Sequence, residues 1–179
     1  MTRTLNLVLT VLLLSGLTSC ATWDPDGEAS LQQEAAETVK VFRARDPGMQ
    51  RFFDNAYAYA VFPTVGKGGM GIGGAYGEGL VYQNGKPVAR TSLTQLTLGL
   101  QLGGQAYHEI IFFADRAAFE RFKTGRLELS AQLSAVAATQ GASADAGYEQ
   151  GVAVFTLAKG GLMYEASVGG QNFSYEPLK

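Results

Sequence analysis

A glycine-rich segment in the first half of the chain constrains the fold more than any other feature. Eight of the fourteen residues from 66 to 79 are glycine, in the sequence GKGGMGIGGAYGEG. Large side chains recur at even spacing through this segment and beyond it, which is the period of a β-strand. Asn84-Gly85 follows, and it predicts a tight hairpin turn because both residues accept positive φ. The segment therefore predicts a glycine-rich strand that turns back on itself.

The same segment contains the pattern G-x-G-x-x-G, at Gly69, Gly71 and Gly74. In a dinucleotide-binding loop this pattern opens a helix, whose N-terminal amides hold the pyrophosphate. Here the residues after Gly74 continue the strand period, and no Gly-Lys-Ser or Gly-Lys-Thr sequence occurs in the chain. The strand context of this pattern therefore argues against a nucleotide-binding site.

Glycine pairs recur inside two later strand patterns, LGLQLGGQAYHEI and MYEASVGGQNFSY. Glycine within a strand permits bulges, sharp bends and the close approach of another backbone. We expect a strongly curved sheet that closes or nearly closes into a barrel. The glycines of residues 66–79 then have two interpretations: a curved strand packed closely against another element, or the floor of a groove in which a lipid approaches the backbone.

Three helices are predicted around this sheet. The first begins at Ser30, which forms a capping box with Gln33, and its apolar residues recur with helical spacing. The second begins at Asp46-Pro47, and the third follows Asp115 and ends at Gly125. Further strands are predicted over residues 57–63, 88–102, 107–113, 151–158 and 162–169, with an extended segment over 127–137. The fold class is α+β, a curved antiparallel β-sheet or barrel-like core with N-terminal helices and one further helix.

Residues 1–19 predict a lipoprotein signal peptide. Arg3 precedes an apolar run that is too short to span a bilayer, and the run ends in Leu17-Thr18-Ser19-Cys20, a bacterial lipobox. Cys20 is the single cysteine, and its thiol would carry the acyl groups, palmitate among them. Ala21 stands where an inner-membrane retention signal would place Asp, which by resemblance to enterobacterial lipoproteins favours the outer membrane, on its periplasmic face or at the cell surface. Residues 20–29 then form a flexible tether, and 30–179 the domain.

Composition and motifs exclude several functions. The formal net charge of −2 argues against electrostatic capture of nucleic acid. His108 is the only histidine and no cysteine follows position 20, so no Cys/His zinc set is available. No G-x-S-x-G elbow is present to supply a nucleophile. We therefore predict no catalytic residues, no metal site, no cofactor and no enzymatic activity.

Three segments together resemble the SYLF domain, first described in yeast actin-patch proteins. They are FFDNAYAYAVFPTVGKGGMGIGGAYGEGLVY, FFADRAAFERFKTGRLELSAQLSAVA and KGGLMYEASVGGQNFSYEP, and the resemblance extends from about Leu31 to Pro177. It implies a β-rich core, no catalysis and binding of membrane lipids, because bacterial members are described as lipid-binding lipoproteins. This chain lacks a strongly basic N-terminal helix and an appended Src-homology module, and actin is not an expected partner in a bacterial envelope.

The predicted function is therefore a lipid-anchored cell-envelope protein whose SYLF-like domain binds membrane phospholipids. Its alternative is a structural or protein-interaction lipoprotein with an envelope protein as partner and no lipid affinity of its own. Lys67 matches a lysine in the family's VGKGG-like segment, and it would meet an anionic head group as a point charge. Lys86, Arg90 and Lys159 would join it if the hairpin tips gather at one end of the sheet; otherwise all four are solvated surface cations.

The first helix also has two interpretations. Its apolar face carries Leu31, Val39 and Phe42, which suits either packing on the core or contact with a membrane surface. Its polar face mixes acidic and basic residues, whereas membrane-surface helices usually have a basic polar face. The charge pattern therefore favours packing on the core.

Overall fold

The computed structural model describes residues 25–99, 104–125, 127, 129, 135–160, 168 and 170–178. Cys20 and the predicted signal peptide over residues 1–19 lie outside this part. So do the predicted strand over 162–169, apart from Val168, and most of the predicted extended segment over 127–137.

The first helix, α1, spans Pro25–Arg45. It begins five residues before Ser30, so the prediction of its start was wrong and residues 25–29 of the predicted tether are helical. Pro25 accounts for the earlier start, because a proline has the φ of a first helical residue and needs no N–H there. Ser30 lies within the helix, and its hydroxyl lies 3.4 Å from a carboxylate oxygen of Glu34.

The apolar face of α1 is packed on the sheet. Ala35 and Phe42 are fully buried in one core cluster with Val61, Leu80 and other strand residues. Leu31 and Val39 are partly buried against the same cluster. This arrangement agrees with the core-packing interpretation of the helix, because the side chains that a membrane would contact are already covered by the sheet.

Two capped helices complete the predicted set. A 3-10 helix, Pro47–Met49, leads into α2, Gln50–Asn55. The predicted N-cap Asp46 is confirmed, since its carboxylate accepts a hydrogen bond from the Gly48 amide at 3.0 Å. α3 spans Arg116–Lys123, and its predicted cap Asp115 accepts from the Ala118 amide at 2.8 Å. A second 3-10 helix, Ala142–Ala144, interrupts the loop before the last long strand.

Seven strands form one sheet in the order β4-β5-β3-β1-β2-β6, with β7 paired to β2. Their bounds are β1 Ala58–Gln83, β2 Lys86–Gly99, β3 Gly104–Phe113, β4 Val136–Ala137, β5 Val152–Ala158, β6 Gln171–Phe173 and β7 Glu176–Pro177. The α+β class and the curved sheet are confirmed. The sheet is mixed rather than wholly antiparallel, because β4 pairs with β5 in parallel. The described strands end at β4 and β6, and the sheet they form is open.

β1 has 26 residues and joins two halves of the sheet. Its first half pairs with β3, and its second half pairs with β2 through the predicted Asn84-Gly85 turn. The two halves lie across one another at backbone contact. A Cβ on Gly77 would lie 2.8 Å from the Thr64 carbonyl oxygen, and one on Gly79 would overlap the Val61 carbonyl. At these two positions glycine is needed because the strand bends sharply and its two halves pack too closely to admit a side chain.

Side chains on both faces of the sheet contribute to core clusters. On the inner face, Ala60, Phe62, Tyr107 and Ile111 pack with α3 residues in one cluster. The other face packs on α1 and α2 through a group of aromatic side chains that includes Phe52, Phe112 and Phe155. Among the described helices, none is both long and apolar enough to cross a bilayer.

Candidate functional site

A groove opens at the end of the sheet where β3 begins and β5 ends. Its volume is about 740 Å³. Eight residues line this lysine groove: Gly66, Lys67, Gly104, Gln105, Ala106, Ala158, Lys159 and Gly160. Strand pairing assembles the site, since Lys67 lies opposite Gln105 on β3 and Ala158 lies opposite Tyr107. Three strands that are distant in sequence therefore contribute to one site.

Small residues keep the lysine groove open. A Cβ added at Gly104 or at Gly160 would meet no atom within 4 Å. Gly160 has φ of +76°, the left-handed conformation that glycine adopts without steric cost. The chain turns there, just after β5. The lining contains two lysines and no carboxylate, so the charge of the groove is positive.

Lys67 is half-buried in the wall of the groove. Burial lowers the pKa of its ammonium group, because removing water disfavours the charged form. Within the described part of the chain, it forms no ion pair and no side-chain hydrogen bond. A partly desolvated cation without a counter-charge is suited to receive an anion.

Lys159 lies at the exposed rim of the groove. Its ammonium group donates a hydrogen bond to the Thr64 hydroxyl at 2.7 Å. The pairing of β1 with β3 is irregular between Phe62 and Val65, where Pro63 has no N–H to donate to the ladder. This irregularity places Thr64 within reach of Lys159. The contact is between neutral and cationic groups, so the positive charge of Lys159 is not neutralised by it.

Of the four cations predicted from sequence, the structure brings Lys67 and Lys159 together. Lys86 follows the β1–β2 turn, opposite Gln83, and does not line the groove. Arg90 is also outside it, with its guanidinium 3.8 Å from a carboxylate oxygen of Glu78. The separation follows from strand geometry, because Lys67 lies within β1 whereas Lys86 lies beyond its end.

His108 lies near the groove but does not line it. Its Nδ1 is 2.6 Å from the Pro63 carbonyl oxygen, and its ring lies in a T-shaped arrangement with the Phe42 ring, with centroids 6.4 Å apart. Burial lowers the pKa of His108, and the charge of Lys159 adds to this, while the bond to Pro63 opposes it. In the described part of the chain, no group of three or more His, Cys, Asp or Glu residues is arranged to hold a metal.

A polar cluster inside the sheet was not predicted from the sequence. Glu109 is fully buried, and its carboxyl accepts a hydrogen bond from the Gln171 amide at 3.0 Å. Burial raises the pKa of Glu109 to about 8, and the Gln171 amide offsets part of this rise. The residue is therefore mainly an uncharged carboxylic acid at neutral pH. The signal for it was present in the strand YHEIIFF, where Glu109 shares its face with Tyr107 and Ile111.

Tyr107 extends this cluster. Its side chain is buried beside Glu109, and burial raises the pKa of its hydroxyl, with the nearby carboxyl adding to the effect. The other carboxyl oxygen of Glu109 and the side-chain carbonyl oxygen of Gln171 have no hydrogen-bond partner in the described part of the chain. The cluster is inside the sheet and is separate from the open lysine groove.

Comparison with known proteins adds two findings. Residues 94–176 match the family described as Ysc84, Las17-binding protein actin regulator. The chain is also 30% identical over 137 residues to Beta cell expansion factor A of Aeromonas veronii. This similarity covers 75% of the chain and 51% of that protein, so the chain spans about half the length of the relative it matches. Six of the groove residues lie within the segment that matches the family, and Gly66 and Lys67 precede it.

Proposed function

Because the chain is a SYLF-domain protein of the Ysc84 type, we propose that its domain binds membrane phospholipids by receiving an anionic head group in the lysine groove. Lys67 carries the proposal. It is a half-buried ammonium group that has no counter-charge in the described part of the chain, in a groove whose lining includes no carboxylate. A phosphate would supply that charge, and lysine meets phosphate as a mobile point charge.

The size of the groove supports a head group as its ligand. Small-molecule sites in proteins usually measure 300–1,000 Å³, and the volume of about 740 Å³ falls in this range. Gly104 and Gly160 leave space in which the polar part of a lipid can approach the backbone. No role as nucleophile or base is needed, so the proposed activity is binding without catalysis.

We propose further that the mature protein is anchored by acyl groups on Cys20 in the outer membrane. Two or more acyl chains bind a bilayer stably, whereas a single chain binds only marginally. α1 begins at Pro25, only five residues after Cys20, so an anchored domain would remain close to the lipid surface. The domain would then meet head groups at high local concentration.

Vesicle sedimentation tests the proposal. Residues 21–179 contain every described helix and strand and lack the acylated cysteine. We expect this chain to sediment with vesicles that contain phosphatidylglycerol and to remain in solution with phosphatidylcholine alone. Equal recovery in the supernatant from both would reject lipid binding by the domain, and would favour an interaction protein that depends on its acyl groups for attachment.

Two matched pairs of variants locate the site. Lys67→Ala should weaken sedimentation by about tenfold, the loss of one charge-assisted contact of roughly 1.5 kcal/mol, while Lys86→Ala should leave it unchanged.

Gly104→Leu should block the groove without backbone strain, because the residue does not have positive φ and a Cβ there meets open space. Gly147→Leu is its control, since that site is equally open and lies in a loop outside the groove. Equal effects within each pair would place binding elsewhere.

A further inference from the structure

Two of the large apolar side chains that remain exposed lie close together on one face of the sheet. Leu96 is 73% exposed and Tyr76 is 54% exposed. In the β1–β2 ladder, Leu96 lies opposite Gly74, and Tyr76 lies opposite Thr94. Residues two apart on a strand share a face, so Tyr76 and Leu96 are diagonal cross-strand neighbours.

The local structure explains why this pair is not covered. Gly74 has no side chain to lie over Leu96. β6 pairs with Leu93, Thr94 and Gln95, and among the described residues this pairing ends one residue before Leu96. A single exposed leucine is ordinary on a protein surface. Its position beside a second exposed apolar side chain and a cationic groove is what calls for an explanation.

The backbone of Tyr76 lies next to a residue that lines the lysine groove. Gly66 lines the groove, and the Tyr76 carbonyl oxygen lies 4.0 Å from the position that a Cβ on Gly66 would take. The exposed Tyr57 lies at the other end of β3, with its amide bonded to the Phe113 carbonyl at 2.9 Å.

We propose that Tyr76 and Leu96 form the apolar half of a membrane contact, and that they enter the interface of an anionic phospholipid bilayer while the lysine groove receives head groups. This inference rests on the proposed function. Tyrosine suits the interface because its ring is apolar and its hydroxyl remains hydrated. The Tyr76 hydroxyl donates a hydrogen bond to the Glu78 carboxylate at 2.9 Å. The Arg90 guanidinium lies near the same carboxylate, and its positive charge reduces the repulsion between Glu78 and an anionic lipid.

Tryptophan fluorescence tests insertion directly. The natural Trp23 is first replaced by Phe in residues 21–179, and Leu96→Trp or the control Tyr57→Trp is then introduced. With vesicles of phosphatidylglycerol and phosphatidylcholine, we expect a blue shift and quenching by brominated acyl chains for Leu96→Trp only. Far-ultraviolet circular dichroism and a thermal melt check that both variants fold.

Affinity gives a second measurement. Leu96→Gln should weaken binding to the same vesicles by about tenfold, of the order expected for exposing one leucine, and the binding that remains should disappear in high salt. The control Ala117→Gln, at an exposed site on α3, should bind as the unchanged chain does. If the chain binds vesicles but Leu96→Trp behaves like Tyr57→Trp and Leu96→Gln binds normally, this inference is wrong and the proposed function stands. If the chain fails to bind vesicles, both are overturned.

Discussion

At the scale of single residues, the most unusual group is the buried acid Glu109. A carboxylate in this position would have no cation beside it among the described residues, and it accepts a hydrogen bond from the Gln171 amide. Protonation avoids the cost of burying the charge, which explains a pKa of about 8. The residue thus contributes to stability in a way that depends on pH.

We predict that the domain becomes less stable as pH rises from about 4.5 to about 8. In this window the folded state keeps the Glu109 proton that the unfolded chain releases, so each pH unit lowers the unfolding free energy by about 1 kcal/mol. Urea denaturation at pH 5, 6.5 and 8 measures this slope. Glu109→Gln should flatten it, whereas Glu149→Gln, at an exposed site, should leave it in place. An unchanged slope in Glu109→Gln would contradict the assignment.

Gly79 supports a second prediction at this scale. Its missing side chain admits the Val61 carbonyl and the Phe62 ring from the other half of β1. Gly79→Ala should lower the unfolding free energy by about 1–3 kcal/mol, because overpacking forces the backbone to shift. Gly147→Ala should change it by less than about 0.5 kcal/mol, as is usual for surface sites. Thermal melts compare the two, and similar melting temperatures would refute the close packing of β1.

At the scale of secondary-structure elements, a buried cap joins the helices to a distant loop. The Asp46 carboxylate accepts hydrogen bonds from the Gly48 amide at 3.0 Å and from the Ser143 amide at 2.7 Å. It therefore caps the 3-10 helix Pro47–Met49 and also holds the 3-10 helix Ala142–Ala144. Arg51 reinforces this connection through the carbonyl of Ala146 at 2.6 Å.

Removing the N-caps Asp46 and Asp115 should lower the unfolding free energy by unequal amounts. Asp115→Ala should lower the unfolding free energy by about 1 kcal/mol, because the N-cap that Asp115 forms on α3 is exposed. Asp46→Ala should lower the unfolding free energy by about 2–3 kcal/mol, because it leaves the buried Ser143 amide without its hydrogen-bond acceptor. Urea denaturation of both variants measures the difference. Equal losses would show that Asp46 acts only as an ordinary helix cap.

At the scale of the whole molecule, attachment and recognition are separate parts of the proposed function. Acyl groups on Cys20 would hold the protein at the bilayer, and the lysine groove would select among head groups. We predict that the exported protein fractionates with membranes, and that Cys20→Ser releases it into the soluble fraction because the groove binds too weakly to replace the acyl chains. Intact-mass measurement of the exported protein is the check, and an unmodified Cys20 would overturn the anchoring.

The sequence by itself determined the local structure that depends on nearby residues. Asp46 and Asp115 as caps and Asn84-Gly85 as a turn were all predicted correctly, because each uses backbone geometry that a few neighbours decide. The start of α1 was predicted wrongly, since Pro25 could begin the helix as well as Ser30 could. The α+β class followed from strand and helix periods over longer segments.

Only the tertiary structure decided which distant residues meet. The bend of β1 presses Gly77 and Gly79 onto the other half of the same strand, and strand pairing brings Lys67 to Lys159 while leaving Lys86 and Arg90 outside the groove. It also encloses Glu109 beside Gln171, 62 residues later in the chain. The physical reason is that strand order and bending depend on packing across the whole core, which periodicity along the chain does not record.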